Sequence, residues 1–294
     1  MRNFILGTDW WTDCDDAVAV RLLARAAAER KIRLLGVGLN ACMEDSAPSM
    51  DAFLDREGIW DIPIGLDAEA TDFEGVPVYQ KNLAPYAKRY RSNADAEDAV
   101  RLYRRLIAGA DGPVEIIEIG FMQVIAAVLQ SGPDDISDKC GIDLFREKVS
   151  KVWAMAGKWD KDGEKEHNFC NNPRARAGGE AFCRLCPVPV TFLGWEVGHG
   201  VITGSKLPED DNLYGVMRDH GSPDGRHSWD PMTALMAVIG DEEKAGYELI
   251  RGTARVDAVT GENYFAEETG GLFGYVRKKM PDEWYETAID AVIR

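Results

Sequence analysis

The chain has 294 residues, with 34 Lys and Arg against 50 Asp and Glu, a formal net charge of −16. That balance argues against nucleic acid as the main partner, because phosphate binding needs a concentrated positive field, and equally against an anionic membrane surface. Hydrophobic residues make up 45% of the chain, enough for a sizeable core and too many for a disordered protein.

No apolar run reaches the roughly 18 residues of a membrane span. The opening MRNFILGTDW meets an aspartate after a short apolar stretch and lacks a signal-peptide cleavage pattern, so a cytoplasmic protein is expected. Its six cysteines are then expected to be thiols. Cys183 and Cys186 form a CxxC, but no second pair or histidine pair stands at zinc-finger spacing.

In chain order, Phe4, Ile5 and Leu6 make a buried strand over 3–8, and an Ala- and Arg-rich segment predicts a helix over 16–30. A second apolar run over 33–39 is followed by a helix after Ser46 and a short strand over 62–66. A helix is predicted over 94–110, a strand over 114–119 and a helix running through Leu129. Strands over 151–155 and 188–193 come next, with helices starting near Arg174, Gly198 and Pro231. Segments 247–259 and 271–276 suggest strands in closer succession, antiparallel in sense, before a closing helix. Strands alternating with helices predict an open, mostly parallel α/β sheet with helices on both faces, here as one domain over 1–294. Ligands of such sheets bind beyond the carboxyl ends of the strands, which singles out loops 7–16, 39–46, 120–123, 155–172 and the approach to Asp230.

Loop 7–16 reads GTDWWTDCDD, with Asp9, Asp13, Asp15 and Asp16 within eight residues. Carboxylates this close repel one another unless a cation sits among them, and hard oxygen ligands suit Ca²⁺ or Mg²⁺ better than zinc. Helix capping explains Asp15 alone equally well, but four acids together after the first strand favour a metal site.

An apolar strand, an aspartate, a short loop and Asp-Asp-Ala opening a helix resemble the nucleoside hydrolases, N-ribohydrolases that include the inosine–uridine-preferring enzymes and open with DxDPGxDDA. Gly7 stands where that pattern has its first aspartate, and a Trp10-Trp11 pair in a loop two residues longer replaces Pro-Gly. Further segments match in order: Leu39-Asn40, Gly120–Ala126 (family GPLTNIA), Met155-Ala156-Gly157, Glu166-His167-Asn168, Trp195–His199 and Ser228-Trp229-Asp230-Pro231. The resemblance implies a Rossmann-like nucleoside hydrolase core and calcium held by Asp9, Asp16, Asp230 and the main-chain carbonyl of Gln123. It also implies Asp9 as the base that takes a proton from water, and Asp15, Asn40, Glu166 and Asn168 as ribose ligands. A small-molecule nucleoside is the implied partner, and a homo-oligomer, dimer or tetramer, the implied assembly.

The base half of the implied site is altered. Trp229 replaces a histidine that in part of the family protonates the leaving base, and an indole is not an acid. Trp10, Trp11 and Trp229 are therefore expected to wall the nucleobase by stacking, with Trp159 on another rim loop, and a modified or unusual base is expected as substrate. Two other readings compete. A riboside-binding protein that keeps the metal but has lost turnover would also tolerate Trp229. A metal-dependent phosphohydrolase of the haloacid dehalogenase type would need DxDx[TV] directly after the strand, where Trp10 and Trp11 stand instead.

Overall fold

The computed structural model describes residues 1–294. The chain runs β1 (Arg2–Thr8), α1 (Asp15–Ala28), β2 (Ile32–Leu39), α2 (Ser46–Arg56), β3 (Ile64–Leu66), α3 (Val78–Leu83), β4 (Glu97–Asp98), α4 (Ala99–Gly109) and β5 (Val114–Glu118). It continues through α5 (Gln123–Gln130), α6 (Gly141–Lys148), β6 (Val149–Met155), β7 (Glu164–Lys165), α7 (His167–Cys170), α8 (Pro173–Leu185), β8 (Val190–Leu193) and α9 (Trp195–Gly198). The last part holds β9 (Ile202–Thr203), α10 (Asn212–His220), β10 (Arg226–His227), α11 (Trp229–Ile239), β11 (Tyr247–Val256), β12 (Glu262–Glu267), β13 (Phe273–Lys278) and α12 (Asp282–Ile293).

One sheet joins eleven strands in the order β4-β3-β2-β1-β5-β6-β8-β13-β11-β12-β7, and β9 pairs with β10 apart from it. Every pairing from β4 to β13 is parallel, and every pairing from β13 to β7 is antiparallel. The central strands are continuously apolar because both faces are covered. Along β1, Phe4 and Leu6 join the core under α1, α2, α11 and α12, while Ile5 joins the core under α4, α5, α6 and α8. Along β6, Trp153 and Met155 go to the first core and Val152 and Ala154 to the second, the period-two alternation of a strand.

The chain leaves β1 toward β2 on one side and returns to β5 on the other, so a topological switch point lies between β1 and β5 at their carboxyl ends.

The differences from expectation are local. The helix expected from residue 94 starts at Ala99, because Ser92 and Asp95 close a capping box around a 3₁₀ turn and Glu97–Asp98 adds an edge strand. Gly198 ends α9 rather than starting a helix. Helices α6 and α10 and strand β12 are additional elements, short and rich in charged and polar residues.

Candidate active site

Beyond the switch point, the loop joining β1 to α1 packs its acids inward. Two of its residues adopt left-handed backbone, Trp10 at φ 50° and Thr12 at φ 55°. Such conformations are costly for side chains of this size and persist only where surrounding packing enforces them. Here the enforcement is visible: the Trp10 indole is fully buried against Phe53 and Tyr79 and donates from Nε1 to Ser49 Oγ at 2.9 Å. From α3, Tyr79 Oη donates to the Asp13 carbonyl at 3.0 Å, and the Gln80 amide donates to the Trp10 carbonyl.

The loop lines a cavity of about 300 Å³ with Asp9, Asp15 and Asp16, and α11 contributes Asp230. All four are more than nine-tenths buried. Carboxylate oxygens of Asp15, Asp16 and Asp230 lie within 4.8 Å of one another. Two oxygens on one Ca²⁺ are at most about 4.6–5.2 Å apart, twice the usual bond length, so this spacing fits a hard divalent cation. Burial, then mutual repulsion, pushes the pKa values of Asp15 and Asp230 well up; Asp16 is raised the same way, with Asp9 as its chief repelling neighbour. Few donors offset this: Thr8 Oγ1 donates to Asp16, and the Asp230 N–H donates to Asp15 Oδ2 at 3.1 Å. Asp9, likewise raised by burial, accepts from the Trp11 N–H at 2.9 Å and lines the cavity outside the tightest trio. Asp15, Asp16 and Asp230 thus converge most tightly, and Asp9, expected with Asp16 and Asp230, lies beside them in the same cavity.

Glu166 and Asn168 form a facing wall at the end of β6. Glu166 caps α7 by accepting the Asn168 N–H at 3.0 Å and takes the Gly157 N–H at 2.8 Å, while burial raises it to about 7. The Asn168 amide is oriented by donation to the Met155 carbonyl at 2.9 Å. Trp11 and Trp229 also line the cavity. Trp11 packs on Phe73 at 4.7 Å between ring centroids, and Trp229 is fixed by an Nε1 donation to the Trp195 carbonyl at 2.7 Å.

Three expected residues, Trp10, Trp159 and Asn40, do not reach this cavity. Trp10 is committed to the core as described. Trp159 is buried among Phe192, Phe265 and Tyr275, with its Nε1 donating to the Ala156 carbonyl at 2.9 Å. Asn40 is fully buried beneath the site, donating to Glu118 Oε1 at 2.7 Å and accepting the Phe121 N–H at 3.0 Å. Gln123 opens α5 and lines a separate concavity of about 730 Å³ on the α8 side, and its amide donates to the Asn40 carbonyl. That concavity is larger but holds no buried carboxylate cluster.

Asn40 also reveals what replaces the missing first aspartate. Gly7 on β1 pairs with Glu118 on β5, and a Cβ at Gly7 would lie 2.2 Å from the Glu118 carboxylate oxygens. The Glu118 carboxyl therefore occupies the space above Gly7, held by Asn40 and raised by burial to about 8.

Sequence reasoning gave no role to Arg226 or Trp195, both of which line the cavity. Arg226 grips Asp13 through Nε at 2.8 Å and Nη2 at 2.5 Å. Burial alone would raise Asp13, but the Arg226 guanidinium outweighs it and holds the carboxyl below its ordinary value. No local pattern signals this pairing across more than two hundred residues.

No family model matches the chain, and no curated protein matches it in sequence. Solved structures do. A purine-preferring ribonucleoside hydrolase from Gardnerella vaginalis superimposes with a TM-score of 0.73 at 17% identity, covering 99% of both chains. An inosine–uridine-preferring nucleoside hydrolase from Bacillus anthracis gives 0.68 at 13% identity, covering 100% of this chain and 99% of that one. The type III effector protein XopQ, solved with adenosine diphosphate ribose, gives 0.69 at 16% identity, covering 99% of this chain and 93% of that one. The chain thus has the nucleoside hydrolase fold over its whole length.

Proposed function

We propose that this protein hydrolyses the N-glycosidic bond of ribonucleosides with the help of a hard divalent cation, Ca²⁺. The observation that carries this reading is the buried trio Asp15–Asp16–Asp230 with Asp9 beside it, at the switch point of a nucleoside hydrolase fold. Asp15, Asp16 and Asp230 would hold the cation, which when bound supplies charge compensation and polarisation of oxygen ligands.

The remaining work falls to the chain's own groups. Glu166 and Asn168 grip ribose hydroxyls, with Asn168 pre-oriented by the Met155 carbonyl. As the bond from C1′ to the base nitrogen breaks, its electron pair leaves with the base and the ribosyl centre gains oxocarbenium character. Water then bonds to C1′, and Asp9 takes its proton. Trp11 and Trp229 wall the base from two sides and orient it by stacking.

The test is release of base or p-nitrophenolate from inosine, uridine and p-nitrophenyl riboside by the calcium-loaded protein, with Asp9→Ala alongside. Turnover that Asp9→Ala removes supports the reading. No release from any riboside, or release that Asp9→Ala leaves intact, overturns it. The second reading, a riboside-binding protein without turnover, is favoured by Trp229 and by the effector that shares the fold and was solved with adenosine diphosphate ribose. It predicts calorimetric binding of ribosides with none consumed.

A further inference from the structure

The proposed reaction leaves one demand unmet by the groups already discussed: the departing base carries away an electron pair, and neither indole facing it can give up a proton. One cation stands on that side. Arg226 is the only Lys or Arg lining the cavity. The other basic group there, His167, is kept neutral by burial and packs against Trp11 and Phe121.

The placement of Arg226 is rigid. Its backbone pairs with Thr203 in the two-stranded β9–β10 sheet, which Gly225 enters at φ 108°. Asp13 holds Nε and Nη2 together, as a carboxylate fits a guanidinium fork, and Nη1 makes no hydrogen bond within the protein. Asp13 is in turn fixed by accepting the Cys14 N–H at 2.6 Å, and His220 Nε2 lies 3.0 Å from the Thr12 carbonyl of the same loop. The guanidinium carbon lies 5.8 Å from the Trp229 ring centroid. A planar cation with a spare N–H is thereby held beside one of the two indoles that wall the base.

We infer that Arg226 stabilises the departing base as an anion, donating from Nη1 to a carbonyl oxygen or ring nitrogen of the leaving group. This rests on the riboside-hydrolase reading and names the class of substrate it takes: ribosides whose base accepts a hydrogen bond on its edge and delocalises negative charge there. No proton passes from Arg226. The C1′–N bond breaks, both electrons go to the base, the guanidinium compensates the charge, and solvent protonates the base after departure. The device replaces an acid with a fixed charge, in the way an oxyanion hole does. Asp13 acts as a positioning residue that keeps the fork from turning away.

Leaving-group dependence tests this. Wild type, Arg226→Gln and Arg226→Lys are assayed with calcium on inosine, uridine and p-nitrophenyl riboside, whose nitrophenolate leaves readily unaided. Arg226→Gln should lower kcat/KM by about 10²-fold on inosine and uridine, the scale for removing one charge-stabilising donor, and only about threefold on the nitrophenyl substrate. Arg226→Lys, which keeps the charge but loses the fork, should lie between. Cooperative thermal unfolding above the assay temperature and retained calcium binding in both variants separate this loss from one of folding or of the metal site. An equal loss on all three substrates, or no loss, overturns the role of Arg226 while leaving the hydrolase reading intact. Failure of wild type on every substrate overturns both.

Discussion

Removing one carboxylate from the trio should have opposite effects with and without a cation. In Asp230→Asn, the side chain keeps its shape and loses its charge. The oxygens of Asp15, Asp16 and Asp230 lie within 4.8 Å of one another, so each fully charged pair repels by at least about 3.5 kcal/mol at an effective dielectric of 20. Part of this is relieved by proton uptake, since burial and repulsion among the acids raise the pKa values of all three. The cation-free variant should therefore gain about 1–2 kcal/mol, or roughly 2–3 °C in unfolding midpoint. Calcium at a hundred times its dissociation constant should stabilise wild type by about 2.7 kcal/mol, or roughly 4 °C. Asp230→Asn should lose most of that gain. The assay is differential scanning calorimetry of both proteins in chelator and in calcium. If the variant is less stable than wild type in chelator yet keeps the full calcium shift, the carboxylates are neither mutually repelling nor cation ligands, and the reasoning fails.

Four further outcomes follow from the geometry. Trp11→Ala should raise KM for ribosides by the equivalent of about 1–3 kcal/mol of stacking with little loss of stability. Trp10→Ala should instead destabilise the fold by about 3–5 kcal/mol in a urea titration, since that indole fills the core. Asn168→Ala should weaken riboside binding by about 1–3 kcal/mol in calorimetry, through loss of a buried, pre-oriented hydrogen bond. Stability of the cation-free protein should fall as pH rises from 6.5 to 8. Glu118, Glu166 and Glu196 are raised from 4.5 to about 8, 7 and 7, so in that window the folded chain holds protons that the unfolded chain has released. His167 and His227, both lowered from 6.5, are neutral in both states across most of it. A urea midpoint that climbs between those pH values would refute this assignment.

What was legible in the sequence were residues whose roles are set by position along a strand–loop–helix unit. Asp15, Asp16 and Asp230 stand in the first turns of α1 and α11, and Glu166 caps α7, so local order alone brings them to strand ends. Trp10 and Trp11 are chemically identical neighbours, and nothing local separates them. One is assigned to the core only because Ser49, Phe53 and Tyr79 assemble around it from distant segments. Arg226 was missed for a related reason: its partner Asp13 lies 213 positions away, and an arginine before a short helix carries no signal of its own. The sheet's parallel core was readable from unbroken apolar runs. The polar strand β12 was not, because its place depends on pairing with β11.

The carboxyl of Glu118 resting over Gly7 has a consequence for the redesign of this chain. An aspartate restored at position 7 to recover the DxD opening would drive a second acid into space already filled, since even its Cβ would meet the Glu118 oxygens at 2.2 Å. The two positions form a linked pair on adjacent strands. Gly7→Asp by itself is expected to destabilise the fold, because the buried Glu118 carboxyl must turn away from Asn40 to make room, whereas Gly7→Asp joined with Glu118→Ala should recover part of that loss.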